Sequence, residues 1–127
     1  MSDEVIPEEI KQFLLKNIDC VAQWEGLLML WSDPSKEWNA KTLAQKVYTS
    51  EPEMNRLLAQ LVSRDILVAT PTPVLYRFQP KTQDLKRIIS QAAGLYRQYL
   101  IPITHIIHSK SKSRIQEFAD AFKIRKD

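Results

Sequence analysis

The residues best suited to metal or redox chemistry are His105, His108 and the single cysteine, Cys20. Three-residue spacing places both histidines on one side of a helix, where two imidazoles can bind a metal ion. No cysteine or carboxylate lies within the same two turns, and Cys20 has no second cysteine with which to form a disulfide. We therefore expect no metal site, and we expect Cys20 to be a small buried core residue.

Only two glycines, Gly26 and Gly94, occur in the chain. A dinucleotide-binding fingerprint needs three glycines and a phosphate-binding loop needs two close together, because a Cβ would block the approach of the backbone to phosphate. No local spacing assembles a nucleophile with a base, or a pair of catalytic carboxylates. The sequence therefore predicts a binding protein without a cofactor and not an enzyme.

The length of 127 residues fits one compact domain, and 44% hydrophobic with 26% charged residues is ordinary for a globular protein. The acidic start, Met1 to Glu4, is unlike a secretory signal, and no apolar run approaches the roughly 20 residues of a membrane span. Together with the single cysteine, these features predict a cytoplasmic protein with no membrane span.

Apolar periodicity and capping residues divide the first half of the chain into four helices. The first begins near Pro7 and ends near residue 18, and the second covers residues 20–31. Asn39 is placed to cap a helix over 40–48. Ser50 and Glu53 form the pattern of a capping box that opens a fourth helix, ending near residue 64.

Two β-like runs, 66–69 and 74–78, follow and are joined by the proline-rich turn 70–73, which predicts a hairpin. A long amphipathic helix then begins after Pro80, and Pro102 should kink or split it. After a polar break, a last amphipathic helix carries its apolar residues at Ile115, Phe118, Ala119 and Phe122.

The order of elements over residues 20–79 is that of a winged helix-turn-helix. The chain resembles bacterial winged-helix transcriptional regulators of the multiple-antibiotic-resistance and penicillinase-repressor types. The resemblance rests on Trp38-Asn39-Ala40 leading into Leu43-Ala44, on the Ser50-to-Glu53 cap, and on the pattern Leu57-Leu58-x-x-Leu61-Val62-x-x-Asp65-Ile66-Leu67-Val68, which runs from the fourth helix into the wing. More narrowly, the chain is similar to a group of small bacterial winged-helix proteins that end in Phe118-Ala119-Asp120-Ala121-Phe122-Lys123-Ile124-Arg125-Lys126, a group that supplies a fold and no assigned activity.

This resemblance implies a mostly α fold with a small β-hairpin wing. Residues 20–79 would form the winged helix-turn-helix core, residues 1–19 an N-terminal helix, and residues 80–127 C-terminal helices that dimerise. In such regulators the third helix of the core, which is the fourth helix of this chain, enters the major groove of DNA. The wing touches the backbone or the minor groove.

By position, the resemblance assigns base reading to residues that face away from the apolar side of the fourth helix. Asn and Gln can bind adenine and Arg can bind guanine, whereas other polar residues position the protein on phosphates. The implied DNA-binding residues are Lys41, Thr42, Asn55, Arg56, Gln60, Ser63, Arg64, Thr72 and Arg77, with Ala59 on the same face.

Charge is distributed unevenly along the chain. Residues 1–19 carry two basic and five acidic side chains, residues 20–79 carry six of each, and residues 80–127 carry ten basic and four acidic. Phosphate neutralisation supplies nearly all non-specific DNA affinity, so a neutral core predicts weak binding unless dimerisation or the basic tail contributes.

The apolar stripe of the long helix exceeds what the short N-terminal helix could cover, which favours packing against a second copy. We therefore expect a homodimer, whose interface would include Leu95, Tyr96, Tyr99, Ile103, Ile106 and Ile107.

The basic C-terminal tail has three interpretations: a solvated end, an aid to nucleic-acid binding, or a basic amphipathic helix that docks on a protein groove or an anionic membrane. Its charged residues are Lys110, Lys112, Arg114, Lys123, Arg125 and Lys126. The leading hypothesis is a dimeric winged-helix regulator that binds double-stranded DNA. The alternative is a winged-helix protein–protein interaction module without DNA binding.

Overall fold

The computed structural model describes residues 6–109. Its elements are, in order, α1 (Glu8–Asn17), α2 (Val21–Ser32), α3 (Ala40–Lys46), α4 (Glu51–Ser63), β1 (Leu67–Ala69), β2 (Tyr76–Phe78) and α5 (Gln83–Gln98). A further helical segment covers residues 100–109. This mostly α architecture with a two-stranded wing confirms the predicted fold class.

The core forms around α2, which is apolar on most of its circumference. Trp24, Leu27 and Leu30 are fully buried, and α2 contacts α3, α4 and β2. On the opposite side, α1 packs against α5 through Ile10 and its other buried residues. The stripe of α5 therefore faces the N-terminal helix of the same chain.

Each of the two helices of the helix-turn-helix begins with a side-chain cap. The Asn39 side chain accepts a hydrogen bond from the backbone N–H of Thr42 at 2.7 Å, which confirms the predicted cap of α3. Ser50 accepts from the backbone N–H of Glu53 at 3.2 Å. The predicted capping box is formed only in this half, because the Glu53 carboxylate binds Arg56 instead of turning back to Ser50.

The wing is a short antiparallel hairpin joined to the core. Leu67 pairs with Phe78, and Ala69 pairs with Tyr76. Trp38 adds a third extended segment, since it exchanges two backbone hydrogen bonds of 2.8 Å with Tyr76. The side chains of Tyr76 and Phe78 are buried, so the hairpin is anchored through one face.

The long C-terminal helix is broken at Tyr99, as Pro102 predicts. Tyr99 leaves the helical conformation (φ −125°, ψ 49°). The ring of a proline clashes with the carbonyl of the fourth residue before it, here Gln98, so an uninterrupted helix is disfavoured. Pro102 instead falls in the first turn of the 100–109 segment.

The structure corrects two expectations. Ile103, Ile106 and Ile107 are buried within the chain itself, so the inference that this stripe needs a second copy to cover it was wrong for these three residues. The 100–109 segment folds back into the core, which the linear sequence does not reveal. Cys20 is the N-cap residue of α2 and is only half-buried, so it is not the buried core residue expected.

Candidate nucleic-acid interface

The helix-turn-helix consists of α3, a turn at 47–50, and α4. Leu43 and Ala44 of α3 are buried, as are Leu58 and the other inward residues of α4, and the two helices contact each other. The N-terminus of α4 is capped and exposed, and it carries Glu51 in its first turn. This packing fixes the direction in which α4 presents its outer face.

Tyr48 lies in the turn with a left-handed backbone (φ 60°) and a side chain that is 96% exposed. The backbone N–H of Thr49 donates to the carbonyl of Ala44, which makes the turn a Schellman motif. Glycine is the usual residue at this position, because an L-residue crowds its own backbone there. Sequence patterns did not single out Tyr48, since nothing in its neighbourhood signals a left-handed turn.

The outer face of α4 carries the predicted base-reading residues. Arg56, Ala59 and Ser63 are exposed, and Asn55 and Gln60 are half-buried. Arg56 donates to the Glu53 carboxylate from Nε at 2.8 Å and from Nη2 at 2.6 Å. These hydrogen bonds hold the pKa of the Glu53 carboxyl below its usual value, so the pair stays charged at neutral pH.

Asn55 is tied to the wing. The Tyr76 hydroxyl donates to Asn55 Oδ1 at 3.0 Å, which leaves the amide nitrogen of Asn55 as the group able to face a ligand. Burial raises the pKa of Tyr76, so its hydroxyl remains a donor at neutral pH. This contact sets the position of the wing relative to α4.

Arg64 has internal partners. Its Nη1 donates to the carbonyl of Asn17 at 2.6 Å and its Nη2 to Asp19 at 3.0 Å. The buried Gln23 makes a second connection, donating to the carbonyl of Leu57 at 3.0 Å and accepting from the N–H of Asp19 at 2.7 Å. Arg64, one of the predicted DNA-binding residues, therefore joins the end of α4 to the α1–α2 connection.

The remaining predicted contacts lie on α3 and the wing. Lys41 is exposed at the start of α3, next to the half-buried Thr42. Thr72 is exposed at the wing tip, and Arg77 donates to Gln79 at 2.5 Å on the outer face of β2. The tip also exposes Val74 (47%), so it presents apolar and hydroxyl groups where a basic wing would present charge.

The predicted dimer residues divide into two sets. Ile103, Ile106 and Ile107 are buried, whereas Leu95, Tyr96 and Tyr99 are half-buried. Directly after Tyr99 come two exposed apolar residues that the sequence analysis did not name, Leu100 (47%) and Ile101 (74%). An apolar groove of about 380 Å³ also lies between α1 and α5, lined by Pro7, Ile10, Ser90, Gln91, Gly94 and Leu95.

Some predicted features lie elsewhere. The basic tail, with Lys110, Lys112, Arg114, Lys123, Arg125 and Lys126, lies outside the described residues, as does the predicted helix at 115–122. His105 and His108 are both exposed, and residues 6–109 contain no group of three metal-binding side chains. Within the same range, no helix is long and apolar enough to cross a membrane.

Solved structures share this arrangement over most of the chain. One is a MarR family transcriptional regulator from Silicibacter pomeroyi, 17% identical with a TM-score of 0.51, and the match covers 84% of this chain and 76% of that one. Another is an apo form of a ZitR variant from Lactococcus lactis, 15% identical with a TM-score of 0.51, covering 94% and 91%. No protein-family model and no curated protein sequence matches the chain. The similarity in structure is one of fold: the chain has a MarR-type winged helix-turn-helix fold.

Proposed function

We propose that this protein is a DNA-binding transcriptional regulator that inserts α4 into the major groove. The observation that carries the proposal is the outer face of α4, which is polar and partly exposed and belongs to a helix that packs against α3 and contacts the wing. Asn55, Arg56 and Gln60 lie on it, and these are side-chain types that bind base edges. The helix begins at an exposed N-terminus, which is the end that enters the groove in this class of fold.

Contacts to the DNA backbone come from the flanking turn and the wing. Lys41 lies at the start of α3, and Thr72 and Arg77 lie on the wing, so these residues belong to the elements that precede and follow α4 in the chain. Tyr48 lies in the turn directly before α4, and its exposed hydroxyl can donate to a phosphate oxygen. A bulky residue held in a strained conformation without burying its side chain is better explained by an external contact than by folding.

The basic tail supplies the charge that the core lacks. Residues 20–79 are neutral, whereas Lys110, Lys112 and Arg114 open a strongly basic end. Each phosphate that the tail neutralises releases counterions and strengthens binding to any sequence. The tail therefore contributes affinity, and α4 contributes base preference.

The protein binds as a homodimer in this proposal. Leu100 and Ile101 are both exposed at the start of the 100–109 segment, directly after the half-buried Tyr99. A second copy would remove this apolar surface from water. Two copies would also present two α4 helices to the DNA, which would compensate for a short, neutral reading surface.

Gel retardation of genomic fragments by the purified full-length chain tests the proposal. A retarded complex that persists with excess non-specific competitor supports it, and no retardation at 50 mM salt rejects it. A chain ending at residue 109 is the matched control for the tail. We expect it to lose affinity for all DNA alike while keeping its preference among sequences.

A second candidate is a protein–protein interaction module that does not bind DNA. It is favoured by the neutral core and by the internal pairing of Arg64 with Asp19 and of Arg56 with Glu53. In that case the tail docks on an acidic partner. Purification of the chain with a stable protein partner, free of nucleic acid and with no retardation of DNA, would select this function.

A further inference from the structure

The guanidinium of Arg56 is held on one edge by Glu53. The two hydrogen bonds, from Nε and from Nη2, form a side-on pair in which the planar groups lie edge to edge. Both side chains remain accessible, with Arg56 55% and Glu53 40% exposed. An exposed pair of this kind adds little to stability, and its physical effect is to favour the rotamers of Arg56 that keep this contact.

Gln60, one turn further along α4, meets a second edge of the same guanidinium. Its amide lies between Arg56 and Asp19. With its amide oxygen towards Arg56, Gln60 would accept from Nη1 at 3.0 Å and donate to Asp19 at 3.0 Å, in place of the 3.1 Å hydrogen bond that its oxygen accepts from Gln23 Nε2 in the opposite orientation. Asp19 is itself bound by Arg64, so this chain of contacts is anchored in the core.

Arginine carries five N–H donors, and these contacts leave a defined pair unused. Glu53 takes the Nε–H and the Nη2–H on the same edge of the guanidinium. Because the guanidinium is planar, one hydrogen of Nη1 and the second hydrogen of Nη2 point in parallel from the end of the side chain, away from Glu53. Two parallel donors match two adjacent acceptors, and guanine presents such a pair, O6 and N7, at its major-groove edge.

We infer that Arg56 reads guanine in the major groove through its Nη1 and Nη2 end, and that Glu53 and Gln60 act as positioning residues for it. In this interpretation Glu53 is not simply an acid that repels DNA. Its negative charge lowers the affinity for the phosphate backbone. Its hydrogen bonds favour the orientation of Arg56 in which the free donor pair can distinguish between bases. The inference rests on the proposed DNA binding and adds the identity of one base and the residues that select it.

Selection of bound duplexes from a random library by the full-length protein, followed by anisotropy titrations of single-base variants, tests the inference. The unchanged protein should select at least one guanine per half-site. Arg56→Ala should reduce the discrimination against replacement of that guanine by about 5- to 150-fold, which is the range for one bidentate contact. Its affinity for unrelated DNA should fall much less.

Glu53→Gln separates positioning from repulsion, with Glu51→Gln as the matched control. Glu51 is an exposed acid of the same turn and is not bonded to Arg56 in the part of the chain that the structure describes. Both changes remove one negative charge, so both should raise affinity for unrelated DNA slightly. Only Glu53→Gln should also reduce the preference for guanine, and Gln60→Ala should act in the same direction.

Three results would overturn the inference. One is a guanine preference that survives Arg56→Ala. Another is an equal loss of affinity for every sequence with a smaller salt dependence, which would make Arg56 a phosphate contact. A third is identical behaviour of Glu53→Gln and Glu51→Gln. If the unchanged protein binds no DNA, the proposed function fails and the inference fails with it. If the unchanged protein binds DNA and the Arg56→Ala variant keeps its guanine preference, only the inference fails.

Discussion

Tyr96 of α5 connects the C-terminal helix to the centre of the core. Its ring meets Trp24 edge to face, with centroids 5.9 Å apart, and its hydroxyl donates to Glu25 at 3.2 Å. Burial raises the pKa of Tyr96, and the negative charge of Glu25 raises it further. The folded protein therefore favours the neutral phenol.

This shift predicts a loss of stability at alkaline pH. A group with a raised pKa in the folded state stabilises fully below its unfolded pKa, about 10 for tyrosine, and the contribution disappears as pH rises through the folded value. Tyr96→Phe removes this term. We expect its unfolding temperature to decline less steeply above pH 10 than that of the unchanged protein, and parallel curves would contradict the assignment.

Tyr48 predicts opposite changes in stability and DNA binding. Tyr48→Gly removes the left-handed strain and should raise the free energy of unfolding by about 1 kcal/mol, while losing the proposed phosphate contact and weakening DNA binding. Asp65 is the matched control, since it also has positive φ (65°) but lies at the far end of α4. Asp65→Gly should stabilise the fold without weakening DNA binding, and unchanged DNA affinity of Tyr48→Gly would contradict its role.

At the scale of elements, Arg64 is the clearest case of a charged residue used to join helices. Arg64 is 25% and Asp19 13% exposed, so this ion pair is partly shielded from water. Arg64→Met should lower the free energy of unfolding in urea by about 1–3 kcal/mol, because Asp19 and the Asn17 carbonyl lose a charged donor. Arg77→Met is the control variant: it should weaken DNA binding with little effect on stability. A loss of stability in Arg77→Met, with a loss of DNA binding but not of stability in Arg64→Met, would contradict these assignments.

The elements could be predicted because their signals are local. Asn39 and Ser50 mark helix starts within three residues of the groups they cap, and Pro102 breaks a helix within one turn. The partners of side chains were not predictable in this way. Arg64 and Asp19 are 45 residues apart in sequence, and Ile103 is apolar whether it is covered by its own chain or by another. Periodicity identifies an apolar face and leaves open what covers it.

At the scale of the whole molecule, the exposed apolar residues Leu100 and Ile101 predict that the protein is a dimer. Ile101→Glu places a charge in the centre of the proposed interface and should shift a dimer to a monomer, raising the dissociation constant at least tenfold. Gln98→Glu, an exposed change on the preceding turn, should leave the dimer intact. Light scattering after size exclusion at micromolar concentration distinguishes the two, and an unchanged protein that is monomeric there would contradict the proposal.

Charge separates the molecule into an acidic start, a neutral core and a basic end. Non-specific affinity and base preference should therefore depend on different parts of the chain. The most direct measurement is an anisotropy titration of the full-length protein with a selected duplex and a scrambled duplex of equal length, repeated from 50 to 200 mM salt. We expect affinity for both duplexes to fall linearly on a log–log scale while the ratio between them persists. Equal affinity for the two duplexes at every salt concentration would contradict reading of DNA by α4.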